Sequence, residues 1–513
     1  MGEDASPYSL LALARTNLSK LEAQIEDLVA RGRYPAATSL IGSIQPLLSP
    51  IHKIPAEVLS RIFLFACGPR DAESSWERWG SWKCGRGMSA FTTAVRISHV
   101  SSAWRSAALD TPRMWATALP MREGVVRELW DSESKNAVLA REIFPRSRSV
   151  PLPLLYPFLL DGFVHGEISK ILQRVDSLYL HDRGLLGWFM HRCPVLQELR
   201  SLFIRLSDHD ETTSSLRVPQ VAAFLTATKL TRVNLDVFLP LPWSQLQELS
   251  LDWNATPASI CHSALSKCTS MVEAHINLPA SSVDDVSPGP VDRHILPRAK
   301  ILTADFVEVA NASIKPFFRS FALPNLTRLA LNFDDLVNQE IWPVDTGTHH
   351  EFKRFLLSCP QIEDLDLSSC SLNATELCEI MALTPLLHTL RLTFCGQAFT
   401  TTLIDRLIYS SGPDGNPTDV LVPRLRVLKV GRKDIDPAHV DEGQLLRMIE
   451  SRWSNLALEA GVGVARWEKL YLWYYPPARD DQDAPYDRLD PLTPETRARV
   501  AQLKHSGLNI SIW

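Results

Sequence analysis

The nine cysteines are the first residues whose spacing bears on chemistry. They stand at Cys67, Cys84, Cys193, Cys261, Cys268, Cys359, Cys370, Cys378 and Cys395. A zinc site or a thiol-exchange centre needs two sulfurs on one short turn, and no pair is spaced C-x-x-C. An odd, scattered set fits buried, reduced thiols in a protein kept inside the cell. His349-His350-Glu351 places two imidazoles beside a carboxylate, a donor set that metals use, but the trio abuts a helical stretch and suits a helix start. The phosphate-gripping G-x-x-x-x-G-K-[ST], the zinc-hydrolase H-E-x-x-H and the nucleophile turn G-x-S-x-G do not occur. Gly461-Val462-Gly463 lacks the third glycine of a dinucleotide loop. No catalytic residue, metal site or cofactor is therefore expected, and the chain is expected to act by binding.

Composition narrows the partners. Of 513 residues, 45% are hydrophobic and 22% charged, enough to build a large core and, by length, about three domains. The net charge of -5 lacks the basic excess of a nucleic-acid binder. No apolar run reaches the ~18 residues of a membrane span. The start, MGEDASPYSLLALARTNL, has no basic segment before an apolar one, so no secretion signal is expected, and the acidic context after Gly2 does not suit myristoylation. Triplets such as Asn254-Ala255-Thr256 are then chance glycosylation matches. The expected location is cytoplasmic, nuclear or both.

The elements that carry binding groups come next. Leu11, Ala14, Leu18, Leu21, Ile25 and Leu28 advance by threes and fours and share one helix stripe. Residues 1–45 thus hold an amphipathic helix, with about three heptads available for a short coiled coil or for packing on its own chain. Pro55 suits a first helical turn, and Glu57 favours its positive end. Val58, Leu59, Ile62, Phe63 and Ala66 follow at helical spacing. A second helical stretch carries Val95, Ile97, Val100, Trp104, Ala107 and Ala108.

This stretch resembles an F-box. The residues that carry the likeness are Ile54-Pro55-Ala56-Glu57-Val58-Leu59, Ile62-Phe63, Val100-Ser101-Ser102-Ala103-Trp104-Arg105, and then Asp110, Pro112 and Trp115. Ser101 stands where many members have cysteine. Together with the preceding helix and "LLSPIHKIP", the match is similar to the expanded F-box families of mushroom-forming (basidiomycete) fungi. It places the module at 46–120, with an insertion at 68–92. Trp76, Trp79 and Trp82 recur there at three-residue steps, as a docking stripe or a cover for the module. The resemblance implies contact with a Skp-family adaptor and, through it, a cullin-RING ubiquitin ligase. Ile54, Pro55, Leu59, Ile62, Phe63, Val100, Trp104 and Trp115 would make or support that contact, although Trp104 and Trp115 also suit an internal core.

After a linker with the first helices at 121–174, residues 175–513 repeat. "VDSLYL", "LTRVNL", "LQELSL", "LTRLAL", "IEDLDL", "LLHTLRL" and "LRVLKV" share Leu-x-x-Leu-x-Leu, with the second apolar position at 178, 233, 249, 329, 365, 390 and 428. Weaker copies fall at 199, 274, 302 and 470. Pro194, Pro297, Pro324, Pro360, Pro385 and Pro423 stand five residues before such positions, where proline ends a helix and starts an extended segment. A shift of 25 lays Phe352, Phe355, Leu356, Pro360, Ile362, Leu365, Leu367 and Cys370 over Leu377, Ile380, Met381, Pro385, Leu387, Leu390, Leu392 and Cys395. Each unit is thus helix, turn, strand. None can bury its apolar face alone, so units must stack. The fold class expected is α/β: an N-terminal helical F-box module and then an irregular leucine-rich-repeat solenoid, with parallel strands inside and helices outside. The segments 279–297, 410–423 and 476–494 read as surface excursions, "GLNISIW" as a last strand, and Trp467, Trp473, Tyr474 and Tyr475 as core and cap.

Residues between the buried leucines face outward on the concave sheet, the surface on which solenoids hold proteins. Asp236, Asp252 and Asp305 would lie near one another. With Asp366, Arg391 and Lys429 they suggest a client-binding surface, acidic in the middle and basic beyond. The function expected is substrate recognition for an SCF-type ubiquitin ligase. The alternative is a scaffold that binds proteins outside a ligase.

Overall fold

The computed structural model describes residues 7–44, 54–67, 93–117, 145–155, 172–180, 186, 189, 195–206, 222–252, 258–278, 293–307, 314–334, 346–395, 397–409, 421–432, 441–453, 464–474 and 492–512. The chain divides into two units. Residues 1–75, 81–125 and 141–150 form the first, and 151–513 with 76–80 and 126–140 form the second.

The first unit is helical. Helices Pro7–Ala30 and Tyr34–Ile44 pack on one another, with Gly32 between them at φ 68°, a conformation glycine adopts freely. Leu21, Ile25 and Leu28 of the expected stripe are half-buried. The side chains of Leu11, Ala14 and Leu18 lie outside the described residues. Pro55 stands at the N-cap of helix Ala56–Ala66, one residue earlier than expected. Its carbonyl accepts from the N–H groups of Val58 and Leu59 at 3.0 Å each, and a residue with no N–H loses nothing there. Residues 93–98 form another helical turn. Ser101 then caps Ser102–Leu109 by accepting from the Trp104 N–H at 3.1 Å, and Pro112–Thr117 closes the module. Leu59, Phe63, Ile97, Ala108, Met114 and Trp115 are buried together. The Phe63 ring lies 5.1 Å from that of Trp104, and Trp115 Nε1 donates to the Ala108 carbonyl at 2.9 Å. Each buried aromatic ring contributes about 2–3 kcal/mol, so these few side chains hold the module. Residues 145–150, expected as linker, belong to this unit. Arg146 lies 4.7 Å over the Trp115 ring, and Arg148 pairs with Asp110 at 2.9 Å. The tryptophans of 68–92 lie outside the described residues.

The second unit is built from strands β1 (Leu152–Leu155), β2 (Val175–Leu180), β3 (Ser201–Ile204), β4 (Arg232–Leu235), β5 (Glu248–Asp252), β6 (Glu273–Leu278), β7 (His294–Ile295), β8 (Ile301–Val307), β9 (Phe321–Ala322), β10 (Arg328–Asp334), β11 (Asp364–Ser368), β12 (Thr389–Thr393), β13 (Val427–Arg432), β14 (Lys469–Tyr474) and β15 (Asn509–Ile512). Among the described residues, thirteen of them form one sheet in chain order, all parallel, while β7 and β9 pair separately.

Tight turns lead into several of the strands. In Leu323-Pro324-Asn325-Leu326, Thr384-Pro385-Leu386-Leu387 and Val422-Pro423-Arg424-Leu425, the fourth N–H donates to the first carbonyl at 3.0, 3.1 and 3.1 Å. Proline sits second, where its fixed φ matches the turn. Helices are fixed locally too. Asn373 accepts from the Glu376 N–H at 2.9 Å while Glu376 accepts from the Asn373 N–H at 3.0 Å, a capping box that starts Ala374–Ala382.

The inward leucines align. Leu249, Ala274, Leu302, Leu329, Leu365, Leu390, Leu428 and Leu470 form one buried row across successive strands. The weak copy at 199 is displaced: Leu202 takes that register between Leu178 and Val233, and Leu199 is buried in the turn before it. Two apolar residues three apart can both be buried where a turn leads into a strand, so spacing alone does not tell them apart. Strand β1 falls within 121–174, which the sequence marks as linker and first helices. Most of 279–297, 410–423 and 476–494 lies outside the described residues.

The tail forms β15 on β14, preceded by helix Pro494–His505. Trp467 is buried, as expected of a cap residue. Trp473 departs from that expectation. It is half-buried on β14, level with Gly431, where a glycine leaves room for the indole. Tyr475 lies outside the described residues.

Candidate functional site

Two surfaces hold the residues singled out in the sequence, one on each unit. On the helical module the eight adaptor candidates split. Leu59, Phe63 and Trp115 are buried at 5%, 0% and 0% exposure, so they build the core and could support a contact only from beneath the surface. Ile54 and Trp104 are partly buried against that core. Among the described residues the Trp104 indole N–H has no hydrogen-bond partner. Pro55, Ile62 and Val100 are exposed. Val58 and Phe65 join Ile62 at i, i+4 and i+7 on helix Ala56–Ala66, and Leu109 is also exposed. Phe65 is 85% exposed. A small module that leaves five large apolar side chains in water carries the mark of an interface.

The second surface is the sheet face between the buried rows. One level of it runs Asp252, Asn277, Asp305, Asn332 and Ser368 on neighbouring strands, with Asp236 directly after β4. Asp252 and Asp305 are therefore two strands apart with Asn277 between them, and Asn277 Nδ2 donates to Asp252 at 3.1 Å. His275 Nε2 meets Asp305 Oδ2 at 3.0 Å. The three expected carboxylates thus share one row, stitched by an amide and an imidazole.

The electrostatics follow from this crowding. Burial, with the Asp252 charge adding to it, pushes Asp236 up to about 6 against backbone hydrogen bonds that oppose the rise. Burial would lower His275, but the hydrogen bond and charge of Asp305, then Asp252 and Glu273, raise it above its ordinary value. Burial and then Glu248 raise Glu273.

The basic half differs from expectation. Arg391 Nη1 lies 3.3 Å from Asp366 Oδ2 and 3.4 Å from Asp364 Oδ1, so its charge is matched on the neighbouring strand. Burial still raises Asp366 despite Arg391. Lys429 lies 5.5 Å over the Tyr471 ring. Arg391, with Arg328 of β10 at 3.7 Å from Asp364, offsets the two β11 carboxylates, and the acidic side remains.

A further row escaped the sequence. Arg232, Glu248, Glu273, Arg328 and Asp364 each stand just before the first inward residue of a strand, and Arg232 pairs with Glu248 at 3.0 Å. Their signal was a charge directly before the "VNL", "LSL", "AHI", "LAL" and "LDL" triplets. Val58, Phe65 and Leu109 were missing from the adaptor set because spacing does not reveal which side of a short helix the core takes.

His349 and Glu351 serve neighbouring helices. His349 Nε2 lies 3.0 Å from Glu379 Oε2, and Glu351 pairs with Arg319 at 2.9 Å. Among the described residues no group of three or more His, Cys, Asp or Glu side chains is placed to hold a metal ion. Among the same residues, no helix is long and apolar enough to cross a membrane.

No family model matches the chain. No curated protein matches it. Among solved structures, the leucine-rich-repeat-containing protein LegL7 from Legionella pneumophila is similar over 53% of this chain and 86% of that one, at 14% identity and a TM-score of 0.28. The repeat content of the second unit stands on its own strands: parallel, in chain order, with leucines in register.

Proposed function

We propose that the chain is the substrate-recognition subunit of an SCF-type cullin-RING ubiquitin ligase. The helical module docks on a Skp-family adaptor, and the open sheet face holds a client protein. The observation that carries this is the exposed stripe Val58, Ile62 and Phe65, with Val100 and Leu109 also exposed, on a module whose sequence resembles an F-box. In this role the chain performs no chemistry. It raises the effective concentration of client lysines near the conjugating enzyme. It works in the cytoplasm, the nucleus or both, with no cofactor, nucleic acid or membrane. Asp236, Asp252 and Asp305 favour a basic segment on the client, while Asp366 and Arg391 serve each other.

The test is purification of the full chain with adaptor and cullin, followed by ubiquitin transfer to a co-purifying client. Adaptor and cullin together support the ligase. Adaptor without cullin supports the alternative, a scaffold that binds proteins outside a ligase, and no adaptor removes both.

A further inference from the structure

Seven cysteines lie in described residues, all free, and all but Cys378 are buried. Cys370 and Cys395 differ from the rest in standing side by side. Their sulfurs are 3.0 Å apart, and they are 2% and 1% exposed. They occupy one position in successive repeats, after β11 and β12. Ser369 and Phe394, the residues before them, both take left-handed backbone, φ 55° and 57°. Each is held by a backbone bond to the next strand: Ser369 N–H to the Thr393 carbonyl and Phe394 N–H to the Gly431 carbonyl, both at 2.7 Å. Side chains rarely adopt this conformation, so the two hydrogen bonds fix the turn that swings both thiols inward together.

We infer that Cys370 and Cys395 are a modification site, a dithiol that a small peroxide closes into a disulfide between two repeats. One thiol gives its proton to solvent, and its sulfur attacks a peroxide oxygen. The O–O bond breaks, water leaves and a sulfenic acid remains. The second sulfur attacks the first, the S–S bond forms, the S–O bond breaks, and the hydroxyl departs with the second thiol's proton as water. Two thiols are oxidised and one hydrogen peroxide is reduced to two waters. The hydrogen bond with Cys395, and then burial, hold the Cys370 thiol well above the ordinary thiol range. The reaction is therefore slow, faster at higher pH, and open to a small uncharged oxidant rather than to a bulky disulfide. The bridge would join the strands that carry Asp366 and Arg391.

The experiment uses the wild-type full chain, so no variant has to fold. The chain is treated with hydrogen peroxide or with oxidised glutathione, and free thiols are alkylated after unfolding. Trypsin and a glutamate-specific protease then place Cys370 on residues 364–376 and Cys395 on residues 392–406, apart from Cys378. The inference expects these two peptides to be linked after peroxide and unlinked after glutathione. It is overturned if both are recovered alkylated under peroxide that oxidises Cys378, or if each is separately oxidised to the sulfinic acid without a link.

Discussion

Ile62 and Phe63 are neighbours on one helix and differ in burial: Phe63 is fully buried, while Ile62 keeps 44% of its surface in water. The pair separates folding from docking. Ile62→Asp with Phe65→Asp is expected to abolish adaptor binding in a pull-down and to change stability by less than about 1 kcal/mol. Phe63→Ala is expected to cost about 3–5 kcal/mol through the cavity it leaves. If the Ile62/Phe65 double variant still binds, the docking surface is elsewhere.

His275 and Asp305 predict a pH response. The folded imidazole has its pKa raised above the ordinary 6.5. The interaction therefore stabilises fully below that value and is lost as pH rises through the raised one. The melting temperature of the full chain should fall on crossing this range, and Asp305→Asn should flatten that fall. An equal fall in the variant would assign the response to other groups.

Asp236 acts in a lower window. Its folded carboxyl sits near 6 against 3.8 unfolded, so the folded state holds the proton more tightly and stability declines as pH rises from about 4 to 6. Asp236→Asn removes the penalty. Denaturant titration should show a gain of about 1–2 kcal/mol at pH 7.5 that vanishes near pH 4. A loss at pH 7.5 would mean that the charge serves the fold.

Arg452 is 1% exposed, and among the described residues it is held by backbone carbonyls rather than by a carboxylate. Its guanidinium donates to the carbonyls of Leu407, Val422 and Leu421 at 3.1, 3.2 and 2.9 Å, and it lies 5.2 Å from the Trp467 ring. Burial pulls its pKa down to about 10. Arg452→Ala would strand these carbonyls and is expected to cost at least about 3 kcal/mol. Arg452→Lys should recover only part of that, because an ammonium cannot fan out to every acceptor. A lysine variant as stable as the wild type would show that charge alone is needed.

The repeat signal was legible because three constraints coincide on it. A leucine must point inward, a proline fits the second turn position, and the helix face before it is apolar. Where only one constraint acted, legibility failed. Leu199 and Leu202 are both apolar and both buried, and only strand pairing distinguishes them. The module's residues were found, but their direction was not, because Ile62 and Phe63 are equally apolar in sequence. The acidic row was found by phase. The pairing of Arg391 with Asp364 and Asp366 was not, since it depends on how far a long side chain reaches across a strand.

Successive inward apolar residues are 16 apart from Val233 to Leu249 and 42 apart from Leu428 to Leu470, yet both pairs sit in the same register. The alignment is set by the ladder that pairs each strand with the one before it, so the fold keeps no tally of chain length in between. Foreign sequence spliced in behind a strand should leave its neighbours aligned, which makes this architecture a natural host for grafted segments.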